Sequence, residues 1–492
     1  MKKLRRMDGN AAGDAAVLAL VRAMTMCLSL VTTRVLSTYL STFAYGTYAQ
    51  ILLIVSTTAS LTMFGLIDAI NFYYCGAAEP EKREAYVATI LTLQCCTGAA
   101  AGVLILLLAE PICGYFGNPE LRRYLAFAAV LPLLQNGISI LQVLFVSVGK
   151  ARQLAARNLV ISLAQLACAV TAGMYLRQVG LILAVAAALS VGQILFFLWS
   201  LSRSGCRIRL AACDFHLTRD ILKYSIPMAV FTLVNALNRD MDKYLISAVS
   251  DTQTLAIYAN AAKVLPFDIL LIAFMTVLLP HITRQIAAKR YGDAVETYRA
   301  YLEISYISTA LLACGVLAAA PEAMRLLYSE KYISGLPVFR IYIVSDIFHF
   351  ANITLILTAS GRTKLLMRLG FLGLAANFVL NILFYRLMGF AGPALATLLV
   401  SLGLGITILH FSAKELHTSI RGLFDCKYLL TFALECIGGT AVFSAARRWL
   451  ETTQMHYLAV MIAVCAGYAL CVGLPNAKRF LHDLKKISTL KA

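Results

Sequence analysis

The sequence has few charged residues for its length, and acidic residues are especially scarce. Only 14% of the 492 residues are charged, with 25 Asp and Glu against 43 Lys and Arg, whereas about 25% is typical of soluble domains. Hydrophobic residues make up 60% of the chain, and its mean hydropathy is +0.77. This composition excludes a soluble globular protein and predicts an all-α integral membrane protein.

Motifs for disulfides, metals and catalysis are also missing. The 13 cysteines include no CxxC pair and most lie inside apolar segments, which is typical of small buried side chains. The longest predicted outer stretch, about 321–337, is too short for an extracytoplasmic catalytic site and has no nucleophile beside a base. We therefore predict no metal, no cofactor, no enzymatic activity and no nucleic-acid partner.

Fourteen segments are long and apolar enough to cross a bilayer, which takes about 20 residues for each helix. Of the Lys and Arg residues, 29 fall on the side of the N-terminus and only eight in the opposite loops. Because basic residues are enriched in cytoplasmic loops, both termini are predicted to lie in the cytoplasm, where the basic side contacts anionic lipids. The predicted spans are 14–37, 45–73, 86–109, 124–147, 158–176, 180–201, 225–249, 254–283, 302–320, 338–359, 367–385, 393–413, 428–446 and 457–474.

A short internal repeat indicates how these spans are organised. Residues 33–50 align with 242–260 with one gap, which pairs Arg34 with Lys243 and Tyr48 with Tyr258. Each copy lies between the first and second helix of a half, as in transporters that arose by duplication. The predicted parts are a six-helix N-terminal bundle at 1–201, a cytoplasmic linker at 202–223, a six-helix C-terminal bundle at 224–413, and two further helices with a basic cytoplasmic tail at 414–492.

The seventh predicted span, 225–249, is unusual because its middle is charged. Several of its polar residues recur at helical spacing and so share one face. A charge near the bilayer centre costs roughly 2.5–3.5 kcal/mol, so we expect this face to meet water or a partner helix. The polar residues of this segment are Asn235, Asn238, Arg239, Asp240, Asp242 and Lys243.

Motifs in both halves resemble those of a known family. The first helix ends in TRVL at 33–36, and the second begins with YGTY at 45–48 and ends with GLIDAINFYY at 65–74. The seventh helix carries NRDMDKYLI at 238–246, followed by IYANAAK at 257–263. Together with the basic N-terminus, these motifs resemble the polysaccharide flippases of the multidrug/oligosaccharidyl-lipid/polysaccharide (MOP) superfamily over essentially the whole chain.

This resemblance implies a fold and a function. The expected fold is a V-shaped pair of six-helix bundles around a cationic cavity, with two additional C-terminal helices. The expected activity is to move an undecaprenyl-diphosphate-linked oligosaccharide across the bacterial cytoplasmic (inner) membrane by alternating access, for O-antigen, capsule or exopolysaccharide synthesis. Expected partners are this lipid-linked oligosaccharide, membrane lipids and a polysaccharide polymerase or assembly complex. The superfamily also contains the lipid II flippase and multidrug exporters.

Basic residues within the spans are candidates for binding the diphosphate of such a substrate, because an arginine can donate two hydrogen bonds to one phosphate. For Arg22, Arg34 and Lys243, the alternative is that the side chain reaches the membrane surface. For Arg239 and Lys263, the alternative is an ion pair with a nearby aspartate. The candidates are Arg22, Arg34, Arg239, Lys243 and Lys263.

Other polar residues are candidates for ion coupling or for lining the cavity. Asp346 and His349, one helical turn apart, resemble a proton relay, and a partly exposed polar pair is an equal alternative. Neutral residues could bind sugar hydroxyls or hold helices together, and Glu435 has no evident partner. The ion-coupling candidates are Asp68, Asp240, Asp242, Asp268, Asp346 and His349, and the cavity-lining candidates are Asn235, Asn238, Gln142 and Asn377.

Two other functions compete with the flippase. A cation-coupled multidrug exporter of the same superfamily would be expected to use an acidic, aromatic pocket, whereas this chain places Arg22, Arg239 and Lys263 in its spans. A membrane polymerase or ligase would need a larger outer loop than any predicted here. The sign of the charge in the spans therefore favours an anionic substrate.

Overall fold

Every regular element in the described part of the chain is a helix. The computed structural model describes residues 2–76, 79–148, 150–176, 178–203, 208, 212–263, 265, 267, 278–279, 281–349 and 353–488. Only helices and closed barrels satisfy all backbone hydrogen bonds within lipid, which explains why so apolar a chain is helical.

The helices form two compact units, residues 1–257 and 258–492. In the second unit, residues 281–287 are also helical. The helices of the first unit are α1 Lys2–Tyr39, α2 Thr42–Met63, α3 Leu66–Gly76, α4 Pro80–Leu107, α5 Ala109–Tyr115, α6 Leu125–Ser147, α7 Ala151–Val170, α8 Val179–Arg203 and α9 His216–Val249, and α10 Thr252–Ala261 contains the unit boundary. Those that follow are α11 Tyr291–Ala318, α12 Ala320–Tyr328, α13 Leu336–Phe348, α14 Leu355–Ala359, α15 Thr363–Met388, α16 Gly392–Glu415, α17 Cys426–Thr452, α18 Tyr457–Tyr468 and α19 Leu474–Ser488.

Nine stretches of the described helices are long and apolar enough to cross a membrane. One of them, 363–415, contains both α15 and α16. The prediction of an all-α integral membrane protein is confirmed, and the count of fourteen spans stays a prediction. The stretches are 20–39, 81–107, 125–147, 152–175, 179–203, 291–318, 363–415, 426–452 and 457–485.

The core of the first unit joins α3, α4, α6, α7, α8 and the start of α9. Phe145 of α6 and Phe197 of α8 are fully buried and form an edge-to-face pair with ring centroids 5.1 Å apart. Ile221, near the start of α9, belongs to the same apolar cluster. Because α9 begins at His216, the end of the predicted linker 202–223 is continuous with the charged helix.

The second unit is built around α11. Within the apolar part of this helix 78% of residues are buried by protein, against 11% for α17. Tyr306 and Cys314 on α11 pack against Phe432 and Cys436 on α17 and against Tyr468 at the end of α18. The two C-terminal helices therefore cover one side of α11 and leave most of their own surface for lipid.

The two copies of the predicted repeat have the same local structure at their helix junctions. Ser41 precedes α2, and its hydroxyl accepts a hydrogen bond from the backbone N–H of Ala44 at 3.1 Å. Asp251 precedes α10, and its carboxylate accepts one from the N–H of Thr254 at 2.7 Å. Each of these side chains caps its helix, because it accepts a hydrogen bond from a backbone N–H that has no partner within the helix. A residue with a short, oxygen-bearing side chain therefore serves the same purpose in both copies.

Candidate functional site

The charged part of α9 contains one acidic side chain with two basic neighbours. Lys243 Nζ lies 2.6 Å from Asp240 Oδ1, and Arg239 Nη2 lies 3.4 Å from Asp240 Oδ2. The side chains of Lys243 and Asp240 are only 19% and 10% exposed, whereas that of Arg239 is 62% exposed. Lys243 therefore provides the close counter-charge for Asp240, whereas most of the Arg239 side chain is exposed.

The other polar residues of α9 lie in different surroundings. Asn235 is exposed and Asn238 is half-buried, while Asp242 is 1% exposed. Asp242 Oδ1 accepts a hydrogen bond from the backbone N–H of Lys243 at 2.9 Å. Asn235 and Arg239, one turn apart, thus form the accessible part of the predicted face, and Asp242 belongs to its buried edge.

The two basic candidates on α1 also differ in exposure. Arg22 is exposed and Arg34 is half-buried. The hydroxyl of Thr25 donates to the Arg22 carbonyl oxygen at 2.9 Å, and that of Thr38 donates to the Arg34 carbonyl oxygen at 2.7 Å. These threonine hydroxyls therefore donate to carbonyl oxygens of their own helix.

The ends of α2 and α9 in the first unit are joined by hydrogen bonds that the sequence did not reveal. The hydroxyls of Tyr244 and Thr57 are 2.5 Å apart, and the Tyr115 hydroxyl donates to the Tyr244 carbonyl oxygen at 3.0 Å. Nearby, the amide of the fully buried Asn118 donates to Gln50 Oε1 at 2.7 Å. Tyrosine and amide side chains in apolar segments are the only sequence signal for such contacts.

Gly46 explains why the YGTY motif contains a glycine. A Cβ atom at this position would lie 2.1 Å from the carbonyl oxygen of Thr252, the first residue of α10. Only a residue without a side chain allows α2 and the start of α10 to approach so closely.

In the second unit, Lys263 is half-buried and Asp346 is buried. Asp346 accepts a hydrogen bond from the backbone N–H of Leu265 at 3.2 Å. His349 is exposed, and its Nδ1 lies 2.9 Å from the carbonyl oxygen of Ser345 on the preceding turn. The proton relay from Asp346 to His349 stays a prediction.

The remaining candidates are dispersed. Gln142 on α6 is half-buried, and Asn377 on α15 is fully buried. Asp268 lies outside the described residues, as does the side chain of Asp68. In the part of the chain that the structure covers, no group of three or more His, Cys, Asp or Glu side chains could hold a metal ion.

A polar network around Arg479 connects α19 with α11 and α17. The guanidinium contacts Glu303 on α11, lies 2.8 Å from Asp425 and stacks 3.7 Å from the ring centroid of Tyr428. Asn476, one turn before Arg479, donates to Glu435 at 2.9 Å. Glu435, which had no evident partner in the sequence, therefore helps to hold α19 against α17.

Comparisons with known proteins agree with this architecture. The family model described as Polysaccharide biosynthesis protein matches residues 35–337. The comparison with curated protein sequences gave no significant match.

Three solved structures resemble the chain. A lipid II flippase MurJ in an inward closed conformation is 16% identical, with a TM-score of 0.71, and the match covers 92% of this chain and 98% of that one. An inward-facing multidrug resistance MATE family transporter of the MOP superfamily is 16% identical, with a TM-score of 0.64 and coverages of 82% and 98%. A MOP superfamily transporter from Pyrococcus furiosus, described as having a binding pocket of reverse polarity, is 16% identical, with a TM-score of 0.56 and coverages of 82% and 94%.

Proposed function

The chain belongs to the polysaccharide biosynthesis protein family and has the fold of MOP superfamily transporters, and we propose that it is a flippase for undecaprenyl-diphosphate-linked oligosaccharide. It carries this substrate across the cytoplasmic membrane by alternating access, for the synthesis of a cell-surface polysaccharide. Both termini lie in the cytoplasm, in accord with the 29 basic residues of that side against eight on the other.

This proposal rests on the exposure of Arg239 and on the ion pair that its acidic neighbour makes with another residue. Its side chain is 62% exposed, and the adjacent acid, Asp240, is bound more closely by Lys243. A cation within a membrane span is expensive and normally functional. Because its acidic neighbour is already neutralised, Arg239 presents a positive charge for an external anion.

A lipid-linked diphosphate is an anion that such a residue suits. The two phosphates need cationic donors while the glycan crosses the membrane, and the isoprenoid tail can stay in lipid. A guanidinium meets a phosphate with two parallel N–H donors, which a lysine ammonium cannot do. Arg22 and Arg34 on α1 supply further positive charge within the same unit, so the diphosphate has more than one cationic position to occupy during transport.

The alternative is a cation-coupled multidrug exporter, which the likeness to a MATE transporter favours. In that function, the buried carboxylates of Asp240, Asp242 and Asp346 would exchange protons or sodium ions. The two functions differ in which substitution is fatal. An exporter depends on the carboxylates and tolerates loss of Arg22 or Arg239, whereas a flippase for a diphosphate depends on the arginines.

The test is complementation of flippase-deficient cells, with surface polysaccharide as the measurement. We expect wild type to restore the polysaccharide, and Arg22→Ala and Arg239→Ala to fail although both accumulate in the membrane at normal levels. Arg239→Lys should give partial rescue, because it keeps the charge and loses the paired donors.

Arg386→Gln is a matched control, since Arg386 is an exposed arginine at the end of α15. It should complement like wild type. If Arg22→Ala and Arg239→Ala also complement fully, these arginines do not bind the substrate and the exporter becomes the better assignment. If Asp240→Asn abolishes drug export and leaves surface polysaccharide at the normal level, the protein is an exporter and not a flippase.

A further inference from the structure

Arg157 on α7 is a buried cation whose hydrogen-bonding capacity is mostly unused. The residue is only 9% exposed. Nη1 donates to Asn158 Oδ1 at 2.6 Å, whereas Nε and Nη2 are both buried and have no acceptor among the described residues. Leaving buried donors of a charged group unpaired costs several kcal/mol, so an acceptor from outside the chain would stabilise this position.

Arg157 is one of three cations that lie on a single aromatic cluster, formed by Phe145, Phe196, Phe197 and Trp199. The Arg157 guanidinium lies 4.7 Å from the ring centroid of Phe197. The rings of the cluster contact one another at centroid distances between 5.1 and 6.5 Å. The other two cations are Lys150, 5.2 Å from the Phe145 ring, and Arg203, 4.3 Å from the Trp199 ring.

Within the described residues, no carboxylate compensates these charges. Lys150 Nζ donates to the carbonyl oxygen of Ser200 at 2.7 Å and to its hydroxyl at 2.8 Å, which leaves one of its three N–H groups. Arg157 has its single bond to a neutral amide. The ring faces stabilise the cations only by cation–π attraction, so the positive charge of the cluster has no acidic partner within the part of the chain that the structure describes.

The cluster adjoins an exposed apolar surface of α8. Val191, Leu195 and Trp199 follow one another at intervals of four residues along α8, and they are 45%, 61% and 54% exposed. The apolar stripe ends at Trp199 and Arg203, near the predicted cytoplasmic end of the helix. An acyl chain can therefore cover the stripe while its head group lies at the level of the three cations, and tryptophan is typical of this interfacial depth.

From these observations, we propose that Lys150, Arg157 and Arg203 form a binding site for the phosphate head group of an anionic phospholipid. The phosphate oxygens accept hydrogen bonds from Nε and Nη2 of Arg157, the two donors that the chain leaves unpaired. Only one hydrogen bond holds this guanidinium, so a change of side-chain rotamer can bring both donors to a head group at the surface. Basic pockets between helices on the cytoplasmic side bind anionic lipids in this manner.

The test uses the fluorescence of Trp199, which is one of only two tryptophans in the chain. Trp449→Phe leaves Trp199 as the single reporter. The full-length protein is placed in phosphatidylcholine vesicles that contain either brominated phosphatidylglycerol or brominated phosphatidylcholine, whose bromine quenches a neighbouring tryptophan. We expect the anionic lipid to quench Trp199 at lower mole fraction than the zwitterionic lipid.

Arg157→Met, in the same background, should weaken the preference for the anionic lipid roughly tenfold, which is the loss of one charge-assisted interaction. Arg157→Lys should keep part of the preference, and it provides the test if Arg157→Met is not monodisperse. Lys364→Gln is the matched control, because it removes an exposed positive charge from another predicted cytoplasmic segment and should change nothing.

Two results would overturn the proposal. The first is an unchanged lipid preference in both Arg157 variants, which would make Arg157 a structural residue. The second is loss of the preference when inorganic phosphate is added at constant ionic strength, which would show a site for free anions in place of a lipid. Failure of the flippase assignment leaves this measurement unaffected, because it needs no transport.

Discussion

The ion pair of Asp240 with Lys243 should be energetically much stronger than the contact of Asp240 with Arg239. At the observed 2.6 Å, two unit charges attract by about 6 kcal/mol for an effective dielectric constant of about 20. Desolvation of two largely buried groups offsets most of this attraction, which leaves about 2 kcal/mol. The contact with Arg239 is longer, at 3.4 Å, and 62% of the arginine side chain is exposed, so its value should be about 0.2–1 kcal/mol.

Two double-mutant cycles measure these couplings. The first combines Asp240→Asn with Lys243→Met, and the second combines Asp240→Asn with Arg239→Gln. Equilibrium unfolding in mixed detergent micelles gives the free energy of unfolding for every variant. We expect a coupling of about 2 kcal/mol in the first cycle and of less than about 1 kcal/mol in the second.

The comparison between the cycles also tests the role of Arg239. If its coupling to Asp240 equals that of Lys243, the arginine is a structural partner and its charge is already compensated. Arg239 would then not be available to a diphosphate. If its coupling is small, Arg239→Gln should leave the free energy of unfolding nearly unchanged and still abolish polysaccharide export.

Three further substitutions test other contacts. Gly46→Ala places a Cβ atom 2.1 Å from the carbonyl oxygen of Thr252 and should lower the free energy of unfolding by about 1–3 kcal/mol, measured in detergent against the neutral change Gly438→Ala, where a Cβ meets no atom within 4 Å. Glu322→Gln leaves Arg447, 3.2 Å away and largely buried, without its buried counter-charge, and should cost about 3 kcal/mol in the same assay. A hydrogen bond from Arg479 on α19 lowers the pKa of the Asp425 carboxyl. Its stabilisation is therefore present above the ordinary carboxyl pKa of about 3.9 and is lost as the pH falls through the lower folded-state value, so Asp425→Asn should flatten the acid side of a plot of stability against pH.

The class of the protein could be predicted from composition, because lipid imposes one solution on a long apolar chain. With 60% hydrophobic residues and 14% charged residues, burial in a bilayer by helices is the stable arrangement. The unusual charge of α9 could also be predicted, because Arg239 and Asp240 are charged residues in an otherwise apolar segment. Local signals of this kind require no knowledge of the neighbouring helices.

The division of roles within α9 could not be predicted, because it depends on contacts with other segments. Spacing placed Asn235, Arg239 and Asp242 on one face, yet Asp242 is buried and the other two are exposed. One face of a helix spans a wide arc of its circumference. Which edge of that face is buried depends on the segments that pack against the helix. The partner of Glu435 was hidden for the same reason, since Asn476 lies 41 residues further along the chain.

Three arginines show that the role of such a residue depends on what satisfies its donors. Arg447 is buried against Glu322 and Glu451, so its charge is compensated by the chain and it serves the packing of α17. Arg239 is exposed beside an acid that Lys243 already binds, and for this reason we propose that it binds the substrate. Arg157 is buried with two donors that meet no acceptor among the described residues, and for this reason we propose that it binds a lipid phosphate. A hydropathy scale assigns the same value to all three arginines. Only the hydrogen-bond acceptors around each side chain distinguish a structural arginine from one that binds a ligand.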